Sequence, residues 1–230
     1  MTDDRHEYAH SIQRDVFFGG EGDAYDARNA HAEANLEVLR HLVPYLRPEG
    51  SVLEIGCGAG QNLAALERLM PDISCFGIDP SRKAIERGLI RSPHHRLKVG
   101  TADSIPFECQ FSMVFFGFCL YLCDRSLLHA SVAEADRVLE DGERGEGGIL
   151  AILDFDPSHP HRRSYRHDAR LSSFKMDYST LFLANPAYSL TTKVSLSHAG
   201  GTEGRPSDPH DRVALWILQK DMSVAFPSLG

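Results

Sequence analysis

The chain has 230 residues, 42% of them hydrophobic and 24% charged, with a formal net charge of −8. This length and composition suit one globular domain with a buried core, and they exclude a largely disordered chain. The acidic balance argues against binding to duplex nucleic acid, which normally requires a basic face.

Cysteine content and hydropathy predict the compartment. The five cysteines are odd in number and several lie inside apolar runs, which indicates free thiols in a reducing compartment. Cys119 and Cys123 have no second pair at a metal-ligand spacing, so no metal site is expected. Residues 1–15 are polar and acidic, unlike a signal peptide, and no apolar stretch reaches the roughly twenty residues that span a bilayer. We therefore expect a cytoplasmic protein.

Helices and strands alternate over the first two thirds of the chain. Apolar residues at Ala32, Leu36, Leu39 and Val43 predict a helix that ends before Pro44. Strands are predicted at 51–55, 73–78, 97–99, 111–118 and 149–155, with helices near 63–70, 84–89 and 128–139. Such alternation implies a parallel sheet with right-handed crossovers.

The pattern weakens after residue 156. Segment 157–187 is rich in His, Arg and Tyr, with at most a short helix in its middle. Runs 188–196 and 213–218 predict an antiparallel hairpin at the sheet edge. We therefore predict an α/β fold: a doubly wound, mostly parallel, seven-stranded Rossmann-like sheet with an antiparallel edge hairpin.

A glycine loop follows the first predicted strand, in the run VLEIGCGAG at 52–60. Closely spaced glycines at a helix N-terminus expose backbone N–H groups to a ligand, although an ordinary strand-to-helix turn also uses glycine. A dinucleotide fingerprint would place its third glycine at Gln61, which disfavours a nucleotide-cofactor oxidoreductase. Here the spacing is G-x-G-x-G, with Glu54 two positions before the first glycine.

A second acid ends the second predicted strand. Asp79, in FGIDPS at 76–81, lies nineteen residues beyond Gly60. A carboxylate at this place can accept hydrogen bonds from both ribose hydroxyls of a nucleoside. The alternative is an aspartate that caps the following helix.

In this order, the features resemble the motifs of class I S-adenosylmethionine-dependent methyltransferases over roughly residues 50–156. The resemblance implies S-adenosylmethionine as cofactor, with Glu54 near its methionine end and Asp79 on its ribose. Asp103, in GTADSIPF at 100–107, would lie beside the adenine amino group. The implied cofactor contacts are Glu54, Gly56, Cys57, Gly58, Gly60, Asn62, Asp79, Pro80, Ala102, Asp103, Ser104, Phe116 and Gly117.

The same resemblance divides the single domain, 1–230, into four parts. These are an N-terminal helical cover (1–48), a cofactor-binding core (49–156), a substrate-facing segment (157–187), and an edge hairpin with a tail (188–230). The runs at 117–122, 154–155 and 175–178 are similar to bacterial methyltransferases met with surface-glycan and sugar-modifying enzymes.

Three features depart from the family or mislead. Ser112 stands where many relatives have an aspartate in the fourth strand, and the turn at 143–148 is lengthened by what we interpret as a surface insertion. The run NPAY at 185–188 is similar to the Asn-Pro-Pro-Tyr motif of amino-directed DNA methyltransferases. That motif must follow the fourth strand, where residues 117–121 already stand, so no nucleic-acid substrate is expected.

The acceptor side is predicted from segment 158–170, SHPHRRSYRHDAR. Clustered Arg and His could hold phosphate or carboxylate groups, although a solvated loop would look the same. The catalytic candidates are His167 and His161 as general bases and Tyr121 as an orienting group. Together with residues 17–28, which contain a GGEG hinge at 19–22, segment 157–187 is predicted to form a mobile cover.

The sequence thus predicts methyl transfer to an oxygen or nitrogen atom of a small molecule, with a sugar or sugar-nucleotide precursor as one candidate. The alternatives are a methyltransferase-like protein that binds the cofactor without catalysis, and a nucleotide-cofactor oxidoreductase. No membrane or nucleic-acid partner is expected. The pattern assigns neither the acceptor molecule nor the choice between monomer and homodimer.

Overall fold

A computed structural model of the protein describes residues 13–142, 147–197 and 209–225. Residues 1–12 of the polar N-terminal segment and residues 143–146 of the predicted insertion lie outside this description. Within the described ranges, no helix has the length and the apolar character that a bilayer span requires.

Seven strands form one sheet, as the sequence predicts. Its strands are β1 (Ser51–Ile55), β2 (Ser74–Asp79), β3 (Arg96–Val99), β4 (Met113–Gly117), β5 (Ile149–Phe155), β8 (Tyr188–Ser197) and β9 (Arg212–Lys220). The spatial order is β3-β2-β1-β4-β5-β9-β8. The first five run parallel, whereas β9 is antiparallel to both of its neighbours. This topology confirms the predicted fold class.

Helices connect the parallel strands and cover the sheet. They are α1 (Gln13–Val16), α2 (Gly22–Arg28), α3 (Leu36–Leu42), α4 (Gln61–Leu69), α5 (Arg82–Arg91), α6 (Leu128–Val138), α7 (Ser179–Leu183) and α8 (Met222–Ala225). A π-helical turn, Phe17–Glu21, joins α1 to α2. Helices α4, α5 and α6 are the crossovers after β1, β2 and β4.

The core is centred on β4 and β9. Phe115, Phe116 and Trp216 have no exposed surface. A central parallel strand is covered on both faces, so it needs apolar residues at consecutive positions, which is why β4 has the sequence MVFFG. The exposed edges of the sheet are instead the short strand β3 and the mixed-polarity strand β8.

Local polar contacts set two element boundaries differently from the prediction. The helix expected from Ala32 begins at Leu36, because the Asn35 side chain accepts a hydrogen bond from Val38 N at 3.3 Å and caps the helix there. Ser112 replaces the family aspartate with a structural bond: its hydroxyl accepts from Ser51 N at 2.9 Å and donates to Ser51 O at 2.8 Å. It thereby ties together the starts of β1 and β4.

The segment 157–187 differs from its prediction. It forms a two-stranded antiparallel hairpin, β6 (His161–Ser164) with β7 (Ser172–Lys175), followed by α7. Residues 171, 173 and 175 alternate as buried positions, but two of them are Ser and Lys. Polar side chains at the buried positions hide the period-two pattern that would have predicted a strand.

The buried lysine at the end of β9 provides a stability test. Lys220 is 2% exposed and its Nζ donates to the carbonyl of Asp136 at 2.8 Å, besides pairing with Asp141 Oδ1 at 2.7 Å. We expect Lys220→Ala to lower the free energy of unfolding by about 2–4 kcal/mol, since buried acceptors lose their donor. Urea denaturation measures this, with the exposed Lys83→Ala as the control. Equal effects of the two substitutions would contradict this role for Lys220.

Candidate active site

A cavity opens at the carboxyl ends of β1, β2 and β4. After β1 the chain moves outward to β2 and β3, and it then returns to β4 on the other side of β1. Ligands of open α/β sheets bind at such a reversal of strand order. Six of the predicted cofactor contacts line this cavity: Gly56, Asp79, Pro80, Ala102, Asp103 and Gly117.

The glycine loop has a backbone that other residues adopt only with strain. Gly56, Gly58 and Gly60 have φ values of +77°, +53° and +72°. At the exit of β4, a β-carbon on Gly117 would lie 2.4 Å from Glu54 Oε1. These glycines therefore allow the β1 loop, the β4 exit and the Glu54 carboxyl to approach each other closely.

Asp79 connects the end of β2 to the glycine loop. Its Oδ2 accepts a hydrogen bond from Gly58 N at 2.9 Å, and its Oδ1 accepts one from Ser81 N at 2.8 Å. Burial raises the pKa of Asp79 to about 6, although these two backbone bonds oppose the shift. The carboxyl is thus held in place at the cavity wall, where each oxygen keeps a lone pair for another donor.

Glu54 is a buried acid directly behind the cavity wall. It is 1% exposed, and its Oε1 accepts a hydrogen bond from Asn62 Nδ2 at 2.6 Å. Its Oε2 is buried without a hydrogen-bond partner among the described residues. Burial raises the pKa of Glu54 to about 8, and the charge of Asp79 adds to the shift. An unsatisfied carboxyl oxygen here fits a ligand that carries positive charge.

The third acid is already engaged in an ion pair. Arg14 Nη1 lies 2.9 Å from Asp103 Oδ2, and Arg14 N donates to Asp124 Oδ2 at 3.0 Å. Arg14, Asp103 and Asp124 all line the cavity. An adenine amino group would therefore share Asp103 with Arg14. No sequence signal pointed to Arg14, because it lies in a polar segment without a motif.

Seven predicted cofactor contacts are not among the cavity-lining residues: Glu54, Cys57, Gly58, Gly60, Asn62, Ser104 and Phe116. Glu54 and Asn62 bond to each other behind the wall, as described above. Phe116 is part of the buried core, and Ser104 closes a turn by donating its N–H to Thr101 O at 3.1 Å.

The N-terminal helices form a roof over the cavity. Phe17, Gly22 and Tyr25 line it from above. The predicted glycine hinge at 19–22 is helical instead, with only Gly20, at φ +132°, departing from helical geometry. Asp23 Oδ1 accepts a hydrogen bond from Ser81 Oγ at 2.7 Å, which fixes the roof to the start of α5.

The structure does not bring the predicted general bases to the cavity. His167 is exposed and packs on Tyr165 with ring centroids 5.4 Å apart, whereas His161 packs against His159 and His210. Both histidines belong to the β6–β7 segment, and no residue of this segment is among the described residues that line the cavity. Their segment contacts the roof through Phe17 and Tyr165, with ring centroids 6.5 Å apart.

Tyr121 lies one layer behind the cavity. It is 8% exposed, and its phenol interacts with that of Tyr25, which lines the cavity. Burial raises the pKa of both phenols, so both hydroxyls are neutral at physiological pH. Tyr121 is therefore placed to hold Tyr25 and not to act as a base.

An aromatic wall completes the cavity: Phe17, Tyr25 and Phe118 line it. Phe118 has φ +64°, in the left-handed region that bulky residues rarely adopt. Its ring packs 5.0 Å from Phe155 and 5.3 Å from Tyr121, and this packing holds it there. Backbone strain of this kind concentrates at functional sites, but a sequence does not reveal it.

Comparison with known proteins gives a family match in the central part of the chain. Residues 52–142 match the model of the methyltransferase domain family. A search of curated protein sequences finds no match. The matched residues include the glycine loop, Asp79 and Asp103, so this part of the chain is similar to a methyltransferase domain.

Solved structures share this fold. One is the 1,6-didemethyltoxoflavin-N1-methyltransferase of Burkholderia thailandensis, solved with 1,6-didemethyltoxoflavin and S-adenosylhomocysteine. Its TM-score is 0.67 at 18% sequence identity, and the match covers 96% of this chain and 92% of that chain. Another is a TehB-like methyltransferase of Corynebacterium glutamicum, with a TM-score of 0.59 and 13% sequence identity. The match covers 90% of this chain and 99% of that chain. A third is a glycopeptide N-methyltransferase complexed with sinefungin, with a TM-score of 0.59 and 14% sequence identity. The match covers 81% of this chain and 94% of that chain.

The raised pKa of Glu54 should make the stability of the protein without cofactor depend on pH. Its folded-state pKa of about 8 lies above the ordinary value of 4.5, so the folded protein holds the proton more tightly than the unfolded chain. This contribution to stability is full below about pH 4.5 and is lost as the pH rises to about 8. Between pH 5 and pH 8 we expect the free energy of unfolding of Glu54→Gln to rise by a few kcal/mol relative to that of the unmodified protein.

Urea denaturation at both pH values measures this difference, with Glu33→Gln, at an exposed position, as the matched control. A Glu54→Gln effect that does not change with pH would show that the buried carboxyl is not the titrating group.

Proposed function

We propose that the protein transfers the methyl group of S-adenosylmethionine to a nitrogen or oxygen atom of a small molecule with a flat, apolar face. The observation that carries the proposal is the mixed lining of the cavity. Asp79, Asp103 and Gly56 of the glycine loop form what we call its acidic side, and Phe17, Tyr25 and Phe118 form its aromatic side.

The acidic side suits the charge of the cofactor. S-adenosylmethionine carries an ammonium and a sulfonium, and the buried Glu54 carboxyl with its unpartnered oxygen offers them a counter-charge. Asp79 would accept the ribose hydroxyls, and Ala102 with Asp103 would contact the adenine. The remaining predicted contacts would act through the loop backbone or by supporting these groups.

The aromatic side suits a flat acceptor. Phe17, Tyr25 and Phe118 offer ring faces and an orienting hydroxyl, which is the usual composition of a site for small aromatic molecules. Of the described residues that line the cavity, Arg14 is the single cation, and it is paired with Asp103. Arg162 and Arg163 are exposed on β6. This arrangement favours an apolar acceptor over a phosphate-bearing sugar.

Methyl transfer requires mainly that the side chains hold the acceptor in position. The sulfonium supplies the methyl group, which passes in line to the acceptor while S-adenosylhomocysteine leaves. The roof and the aromatic wall would hold the acceptor in near-attack geometry and exclude water. No histidine is among the described residues that line the cavity, so we assign the Tyr25 hydroxyl, held by Tyr121, an orienting role.

Two further features agree with this proposal. By their names, two of the structural relatives are N-methyltransferases, which supports a nitrogen acceptor. All five cysteines are free thiols, which supports the expected cytoplasmic setting.

The cofactor side is tested by Asp79→Ala. Losing two hydroxyl bonds to a charged group should weaken binding of S-adenosylhomocysteine by about 2–3 kcal/mol, roughly 30- to 150-fold. Titration calorimetry measures this, with the surface substitution Asp168→Ala as the control and NAD expected to give no heat. NAD binding without binding of either methionine derivative would overturn the cofactor assignment.

The acceptor side is tested by two adjacent phenylalanines. Phe17 lines the cavity, whereas Phe18 is 48% exposed. In an assay with labelled cofactor and a panel of planar heteroaromatic compounds and sugars, we expect turnover with the planar compounds. Phe17→Ala should lower kcat/KM for the acceptor by roughly 10- to 100-fold through lost ring burial, while Phe18→Ala stays near the unmodified protein.

Binding of S-adenosylhomocysteine should change by less than about threefold in both variants, because neither ring lies on the acidic side of the cavity. Turnover with sugars alone, or equal activity of the two variants, would contradict the proposed acceptor class.

A further inference from the structure

Three histidines from distant parts of the chain meet outside the cavity. His159 and His161 lie at the start of β6, and His210 lies in the 3₁₀ turn Pro209–Asp211 before β9. One ring nitrogen from each lies within 4.8 Å of the other two. The ring centroids are 4.8 Å apart for both pairs that involve His210, and 5.7 Å apart for His159 and His161.

The tautomer of His161 is fixed by its backbone contact. His161 Nδ1 lies 3.0 Å from His159 O, and a carbonyl oxygen can only accept, so Nδ1 carries the hydrogen and donates it. In the neutral ring Nε2 therefore holds the lone pair. This Nε2 atom is buried and has no hydrogen-bond partner among the described residues. A donor bond from the other ring nitrogen to a carbonyl is the usual support of a metal-bound histidine.

Charged side chains lie beside the cluster but are engaged with each other. Lys175 Nζ donates to His210 O at 3.5 Å. Asp211, which follows His210, pairs with Lys175 at 2.8 Å and with Arg163 at 3.6 Å. The candidate ligand atoms of the cluster are therefore the ring nitrogens of the three histidines.

We propose that His159, His161 and His210 bind one divalent transition-metal ion, of which Zn²⁺ is the reference case. Three imidazoles with an open fourth position are a common ligand set for Zn²⁺, and nitrogen ligands also suit Co²⁺, Ni²⁺ and Cu²⁺. Tetrahedral Zn–N bonds of about 2.0–2.1 Å place ligand nitrogens roughly 3.4 Å apart. Because the ligand nitrogens lie within 4.8 Å of one another, their separations would shorten by up to about 1.4 Å on binding.

A second group, Glu67 with His94 and His95, is a weaker candidate. There the two imidazole Nε2 atoms already lie 2.6 Å and 3.2 Å from the Glu67 carboxylate oxygens. A carboxylate therefore satisfies these nitrogens, whereas the three-histidine cluster contains no carboxylate among the described residues.

The site joins the β6–β7 hairpin to the start of β9 close to the aromatic wall. Lys175, on β7, lies with its Nζ 3.6 Å from the ring centroid of Phe155. The Phe155 ring in turn packs 5.0 Å from Phe118, which lines the cavity. A bound metal ion would thus stiffen the support of the acceptor side without entering the reaction.

The test uses the full chain stripped of metal with a chelator. We expect titration with Zn²⁺ against a chromophoric competitor to show one site per chain, and Co²⁺ to give the visible absorption bands of a tetrahedral site. His159→Ala and His161→Ala should each weaken Zn²⁺ binding by at least 100-fold, and Zn²⁺ should raise the melting temperature of the unmodified protein but not that of these two variants. His167→Ala and His94→Ala are the matched controls and should bind like the unmodified protein.

His159 is exposed, so its substitution should preserve the fold, which circular dichroism checks. Absence of stoichiometric Zn²⁺ binding by the unmodified protein would overturn the proposal. So would binding that is lost in His94→Ala but kept in His159→Ala and His161→Ala.

Discussion

The bond between the Asp79 carboxyl and the Gly58 N–H is the contact on which the site depends. It joins the end of β2 to the glycine loop after β1, at 2.9 Å, while the second Asp79 oxygen receives Ser81 N and orders the start of α5. One side chain thus sets the positions of a loop, a strand end and a helix N-terminus. A carboxyl held so firmly by backbone donors needs no reorganisation when a ligand binds.

The placement of charge around this contact explains why the site suits a cationic cofactor. Glu54 and Asp79 both have raised pKa values because burial disfavours their charged forms. Burial of two nearby carboxyls lowers the stability of the protein without cofactor. A ligand with a sulfonium and an ammonium offsets this loss because it supplies positive charge. The first five strands have the order that dinucleotide-binding folds also use, but the G-x-G-x-G spacing, the acid before it and the antiparallel strand β9 beside β5 distinguish this chain from them.

The cofactor half of the site could be predicted from sequence because it depends on local patterns. The run VLEIGCGAG needs positive φ values at its glycines, and Asp79 follows a strand with a clear apolar pattern. In the acceptor half, Phe17 and Tyr25 lie within the predicted cover, residues 17–28, whereas Phe118 could not be predicted because it reaches the cavity through an unusual backbone angle. His161 and His167 are predicted to be catalytic because their segment leaves the carboxyl end of β5, but in the β6–β7 hairpin neither of them lines the cavity. Polar residues at its buried positions concealed that hairpin.

The most direct test of the account is a crystal structure of the protein with S-adenosylhomocysteine. We predict that both ribose hydroxyls lie within hydrogen-bond distance of the Asp79 carboxylate, with the adenine beside Ala102 and the amino-acid end near Gly56. The thioether sulfur should face the space bounded by Phe17, Tyr25 and Phe118. A ligand bound elsewhere, or a ribose that does not contact Asp79, would contradict the account.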